Sequence, residues 1–329
     1  MRERKIQVPE FLIFEKTIDF IRDFKNLEKA DKFIFDFSKT RKIDSFSLLY
    51  CSSELQLYRS KNKDLDFRAK KFDHLGYAAH MGFFQAFGLD HGKFPGEAKG
   101  NSRYIPIQIL DAKQIRQDAR EQLINPAELL ETHSEHMAKV LTQTDNGDLY
   151  EIIVYCMREI LRNVIEHSQC DRFGFCAQYL PSLDKVSLAI LDRGIGIKCA
   201  LKNNPNLDLQ SDKDAILESI KPGISGKIYK GQKRKPKGDW ANSGYGLYMT
   251  SNICIEGGSF FIASGNTGLY ASENKHRFLE TPLEGTAVNL TLNTNRLKSL
   301  KETLSKFRDN AATNKEASKS TMGLSKSNK

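Results

Sequence analysis

A strand that runs straight into a carboxylate and two glycines constrains this chain more than any other feature. Residues 186–191 (VSLAIL) are largely apolar and lead directly into Asp192-Arg193-Gly194-Ile195-Gly196. Glycine permits positive φ and close approach of main chain, so such a turn can let a ligand lie against the backbone while the Asp accepts a hydrogen bond. Pro181-Ser182-Leu183-Asp184 joins this run to 173–179 (FGFCAQY), and the two read as a β-hairpin. An ordinary turn satisfies the same spacing, so the motif takes its meaning from what stands around it.

Upstream, residues 148–167 carry Ile153, Cys156, Ile160 and Val164 at helical spacing, the buried stripe of one long helix. An adjoining stripe holds Glu159, Asn163 and His167, all within about 80° of one another at 3.6 residues per turn. Downstream, the polar and basic stretch 198–240 exceeds a plain connection in a compact domain and is expected to form a lid or binding loop. It ends at Asn242-Ser243-Gly244-Tyr245-Gly246-Leu247, after which Leu247, Met249, Ile253 and Ile255 continue as a helix stopped by Gly257-Gly258. Glycines at a helix start expose backbone N–H groups at the positive dipole end, which suits phosphate. Strands at 260–264 and 287–292 follow, the second introduced by Gly285-Thr286.

Taken in order, these parts resemble the ATP-binding domain shared by gyrase B, Hsp90, bacterial histidine kinases, MutL and the anti-sigma-factor serine kinases. The resemblance covers roughly residues 110–295. It implies a Bergerat-type two-layer α/β sandwich with a mostly antiparallel sheet, binding ATP and Mg²⁺. By that resemblance Asn163 holds Mg²⁺ against the phosphates, and Asp192 accepts from the adenine amino group. Gly194 and Gly196 shape the base pocket, Gly244, Gly246 and Leu247 belong to the phosphate-facing helix start, and Thr286 supports Asp192. Glu159 matches the general base of the hydrolysing branches and of the serine kinases. A carboxylate there can orient and deprotonate a water or a serine hydroxyl. Histidine kinases typically carry Asn at that position, and neither His133 nor His136 sits in a phosphoacceptor pattern, so that branch is disfavoured. His167 can touch phosphate or serve the helix end, and Lys227 and Lys230 can close over phosphates or remain solvated loop charges.

The N-terminal third reads as a smaller α/β unit. Residues 14–24 have helical spacing, 33–37 form a short buried strand, and Asp44 or Ser45 can cap a helix running to Leu57. A strand near 64–67 and a helix over 74–87 complete the alternation, and GKFPGEAKG at 92–100 marks a junction. The run Phe33-Ile34-Phe35-Asp36-Phe37-Ser38, followed by Lys42-Ile43-Asp44-Ser45, resembles the STAS domain of anti-sigma-factor antagonists. There the serine at the position of Ser45 is phosphorylated by a partner kinase. That family commonly continues with Ser-Gly, whereas Phe46-Ser47 follows here. The expected organisation is a STAS-like domain over 1–105, the ATP-binding domain over 106–295, and a short helix with a disordered basic tail over 296–329.

Composition narrows the function classes. Six cysteines without a CxxC pair argue for reduced thiols rather than a zinc site or disulfide scaffold. The net charge of +9 is local, with ten Lys/Arg against five Asp/Glu in 198–240 and nine against three in 296–329. No apolar run approaches a membrane span, and the start lacks a signal-peptide core, so a cytoplasmic location is expected. The expected function is a nucleotide-dependent regulatory switch with a protein partner. Its chemistry is open between hydrolysis, transfer to Ser45 or a partner's serine, and very slow turnover. A DNA clamp closing as a homodimer through ATP, with the basic tail on nucleic acid, is a second class; an ATP-binding module without turnover is a third.

Overall fold

The structure, a computed structural model, describes residues 2–124, 126–227, 229, 244–296 and 299–311. In the N-terminal part the elements are β1 (Glu3–Gln7), β2 (Phe11–Leu12), α1 (Phe14–Lys25), β3 (Lys32–Asp36), β4 (Lys42–Ile43), α2 (Ser45–Lys61), β5 (Asp66–Lys70), α3 (Gly76–His80) and α4 (Phe83–Ala86). Strands β1, β3 and β5 form a parallel sheet in that spatial order, and β2 pairs with β4. Asp44 caps α2 by accepting from the Ser47 N–H at 2.8 Å. The single helix expected over 74–87 is two short ones, because Gly82 takes a left-handed φ of 87° between them. There a side chain would be strained.

The remainder runs β6 (Tyr104–Asp111), α5 (Ala112–Glu121), α6 (Pro126–Thr142), α7 (Asp148–Asn163), β7 (Arg172–Leu180), β8 (Lys185–Asp192), α8 (Gly196–Leu201), α9 (Asp212–Ser219), α10 (Gly246–Gly257), β9 (Gly258–Ser272) and β10 (Lys275–Asn293). Its five strands make one antiparallel sheet in the order β6-β7-β8-β10-β9. The chain is therefore a mixed α/β protein. The stretch expected to be a long lid contains α8 and α9, while Lys230, Asn242, Ser243 and the rest of 230–243 lie outside the described residues. So does the tail beyond 311; the short helix expected at the start of 296–329 is described over 300–311.

Both faces of the five-stranded sheet are buried, successive side chains of each strand going to opposite faces. On one face Phe173, Phe175, Leu188, Ile190, Phe260, Val288 and Leu290 pack against α6, α7 and α10. The other face presents Cys176, Ala189, Ala263 and Ala287 to the N-terminal elements. Small side chains on this face let α2 lie close to the sheet; a Cβ on Gly174 would come within 2.8 Å of Leu49 Cδ1. Residues Ser45 through Ser52 of α2 are consequently buried on every side. A helix clad all round in protein has no reason to be amphipathic, and α2 alternates serines with large apolar residues instead of segregating them. Its buried serines are hydrogen-bonded, with Thr17 Oγ1 donating to Ser47 Oγ at 2.6 Å and Ser52 Oγ donating to the Leu48 carbonyl at 2.6 Å, whereas the buried Tyr50 hydroxyl has no partner among the described residues. Among the described residues no helix is long and apolar enough to cross a membrane.

Candidate functional site

Helix α7 begins after Gly147 with Asp148 and Glu151 in its first turn, where carboxylates favour the dipole. Ile153, Cys156 and Ile160 bury the stripe expected of them. At Asn163 the α-helical geometry ends and Val164–Ser168 form one π-helical turn, closed by Gln169 at φ 56°. Such wider turns recur at functional sites because they re-aim main-chain groups. Here the turn frees the Ile165 carbonyl to accept from Arg116 Nη2 at 2.7 Å. It also aims the Ser168 carbonyl at the Asp192–Gly196 turn, where it accepts from the Ile195 N–H at 2.8 Å. A Cβ on Gly194 would lie 2.0 Å from that carbonyl oxygen, so the first glycine is required for contact with the helix end.

Asp192 closes β8 in register with Thr286 of β10. Its carboxylate is 3% exposed, accepts from the Gly194 N–H at 2.8 Å, and is also hydrogen-bonded by the backbone and side chain of Thr286. Burial dominates over these bonds and raises its pKa from 3.8 to about 6. Gly196 has a φ of +74° and opens α8, whose Ile197 N–H donates to Ser264 Oγ at 2.9 Å. Ser264 in turn donates to the Gly285 carbonyl at 2.9 Å, tying the turn after Asp192 to the bulge of β10 beside it.

A cleft enclosing about 850 Å³, solvent-open space included, lies between α7, α8, α10 and the sheet. Its apolar walls are Ile160, Val164, Ile190, Ile197, Ile262 and Val288, and its polar groups include Asn163, His167, Asp192 and Thr286. A small number of polar groups on apolar walls is the composition of a small-molecule site. Gly244, with φ +72°, and Leu247 also line it. Segment 223–226 lies against Gly244, whose carbonyl accepts from the Gly223 N–H at 3.1 Å. Glu159 is 7% exposed and abuts Gly246 at the start of α10, where a Cβ would be 2.0 Å from Glu159 Oε2. Arg158 Nε stands 3.5 Å from the other carboxylate oxygen.

Of the residues singled out from sequence, Asn163, Asp192, Gly196, Gly244, Leu247 and Thr286 therefore meet in one cleft, Gly194 lies under Ser168, and Glu159 and Gly246 touch each other. Ser45 is elsewhere. Its side chain is 1% exposed, hydrogen-bonded to Ser187 Oγ at 3.1 Å beneath the sheet, so the expected display of this hydroxyl to a kinase is not met. The cause is the close packing of α2 on small sheet residues. His167 is held neutral, its pKa lowered to about 4 by burial and then by Lys227 and Arg162. It can offer a hydrogen bond near neutral pH and not a charge. Beside it, buried Glu166 pairs with Arg162 Nε at 2.5 Å.

Sequence reading missed Ser264, Ser168, Glu166 and Arg193. The first two act through geometry that only the sheet register and the π-helical turn create; the Arg162/Glu166 pair did show as an i,i+4 couple next to the Glu159–Asn163–His167 stripe. No protein-family model matches the chain, and the comparison with curated proteins found no significant match.

Proposed function

We propose that the protein is a nucleotide-dependent regulatory switch that binds ATP with Mg²⁺ in the cleft between α7 and α10, of the kind shared by gyrase B, Hsp90, histidine kinases and MutL. The observation that carries this reading is Asp192. A buried carboxylate held by Gly194 and Thr286 at the floor of an apolar cleft is suited to accept from the amino group of a flat base. The five-stranded antiparallel sheet with α6, α7 and α10 packed on one face supports the Bergerat-type reading, and the parallel β1-β3-β5 unit supports the STAS-like one.

Asn163 offers an oxygen ligand from the cleft wall, and no cluster of three His, Cys, Asp or Glu exists among the described residues. That donor set fits Mg²⁺, which is commonly held by one or two protein oxygens together with substrate phosphates. Bound there, the ion neutralises phosphate charge. Gly244 and Leu247, at the start of α10, line the same cleft, and a helix N-terminus favours anions. Glu159, pressed against Gly246, accepts the proton of an attacking water. Burial of Ser45 favours hydrolysis over transfer within the chain.

Incubation with Mg²⁺ and γ-labelled ATP tests this reading. Free labelled phosphate from the wild type, lost in Glu159→Ala, is expected. Label on the protein would instead establish phosphotransfer, and nucleotide retained without phosphate release would establish a binding module.

A further inference from the structure

We infer that Glu54, on α2 and outside the cleft, is a positioning residue for the base-binding end of the cleft and acts through Arg193. The inference rests on the nucleotide reading above. Arg193 sits between Asp192 and Gly194, and its side chain points away from the cleft. Its Nη1 donates to Glu54 Oε1 at 2.6 Å and to the Glu284 carbonyl at 3.1 Å, while Nη2 donates to Ser53 Oγ at 2.7 Å. Glu54 is 0% exposed and also pairs with Lys25 of α1, which donates to the Pro282 carbonyl at 2.6 Å.

One guanidinium thus joins α2 to both segments that hold Asp192: its own turn, and the Glu284-Gly285-Thr286 bulge of β10 from which Thr286 reaches the carboxylate. Turn and bulge are in close contact, since a Cβ on Gly285 would fall 2.0 Å from the Asp192 carbonyl oxygen. A buried carboxylate placed between two cations is costly to leave unpaired, so the helix, the turn and the bulge hold one arrangement or lose it together. Displacing α2 then loosens the base-binding turn and the bulge beside it. By reciprocity, filling the cleft tightens α2 and the N-terminal sheet.

The test compares wild type with Glu54→Gln, Ser53→Ala and Arg193→Lys in the full chain, reading fluorescent ADP-analogue binding and hydrogen exchange at the Gly194, Ile195 and Ile197 amides without nucleotide. Glu54→Gln is expected to weaken binding about tenfold or more, or about 1.4 kcal/mol, with faster exchange confined to 192–197 and 284–286. Ser53→Ala is expected to move both in the same direction by less, and it decides the matter if Glu54→Gln does not fold. Glu28→Ala, which removes an exposed pair with Arg2 and Arg4 in the same half, is expected to change neither. Unchanged exchange at those amides, or acceleration spread evenly over the protein as a merely structural role predicts, overturns the inference. A wild type that fails to bind the analogue overturns the nucleotide reading instead, whatever the exchange shows.

Discussion

Asp192→Asn is expected to make the nucleotide-free protein more stable while removing its hold on the base. Asn keeps an acceptor oxygen for the Gly194 N–H but carries no charge to desolvate. Asp192 has a folded pKa of about 6 against an ordinary value of 3.8, so the folded state binds its proton more tightly than the unfolded chain does. Its ionisation therefore opposes folding: the penalty is absent below 3.8, grows as pH rises, and is complete above about 6. Two pKa units correspond to about 3 kcal/mol at pH 7.5, and roughly half of that survives at pH 5. His167 has the opposite sign. Its folded pKa of about 4 lies below the ordinary 6.5, so its contribution is favourable above 6.5 and is lost as pH falls toward 4. In the wild type the two nearly cancel between pH 4 and 6, and Asp192→Asn exposes the His167 slope. Urea denaturation of the nucleotide-free proteins at pH 7.5 and 5.0 reads this directly. A variant less stable than wild type at pH 7.5, or a gain equal at both pH values, would refute the reasoning.

Three other substitutions have sharp expectations. Gly246→Ala puts a Cβ against Glu159 Oε2, the end of a side chain that can swing away, so it is expected to abolish phosphate release while shifting stability by less than about 1 kcal/mol in thermal or urea unfolding. Gly194→Ala meets the Ser168 carbonyl, which cannot swing; a loss of about 1–3 kcal/mol is expected in urea unfolding, with weakened ADP binding. Ser264→Ala strips the Ile197 N–H and the Gly285 carbonyl of their shared partner, and about 1–3 kcal/mol is expected from the same measurement.

How far these features could be read in advance depended on range along the chain. Asp44 as the cap of α2 and the apolar stripe of α7 are encoded within one or two helical turns and are visible in the sequence. The break at Gly82 depends on one residue's φ and hid inside a helical pattern. Strand β1 was also hidden, since its sequence ERKIQ has a single apolar residue and it pairs only at the sheet edge. Asn163 and Asp192 were legible through the order of motifs around them, and Gly194 and Gly246 because close approach of neighbouring atoms demands glycine. Ser264 and Arg193 were not: a serine or arginine makes no such demand, and their partners lie 21 and 139 positions away along the chain. The fate of Ser45 turned on the opposing sheet face, where Ala189, Cys176 and Ala287 are small enough to admit α2. Nothing near Ser45 in the sequence records that.

Calorimetric titration of ATP with Mg²⁺ into the wild type, Asn163→Ala and Asp192→Asn proteins tests the central claim most directly. The account predicts saturable one-to-one binding by the wild type that is lost in Asp192→Asn and loses its Mg²⁺ dependence in Asn163→Ala. Absence of binding by the folded wild type at millimolar nucleotide, or wild-type affinity in Asp192→Asn, would contradict it.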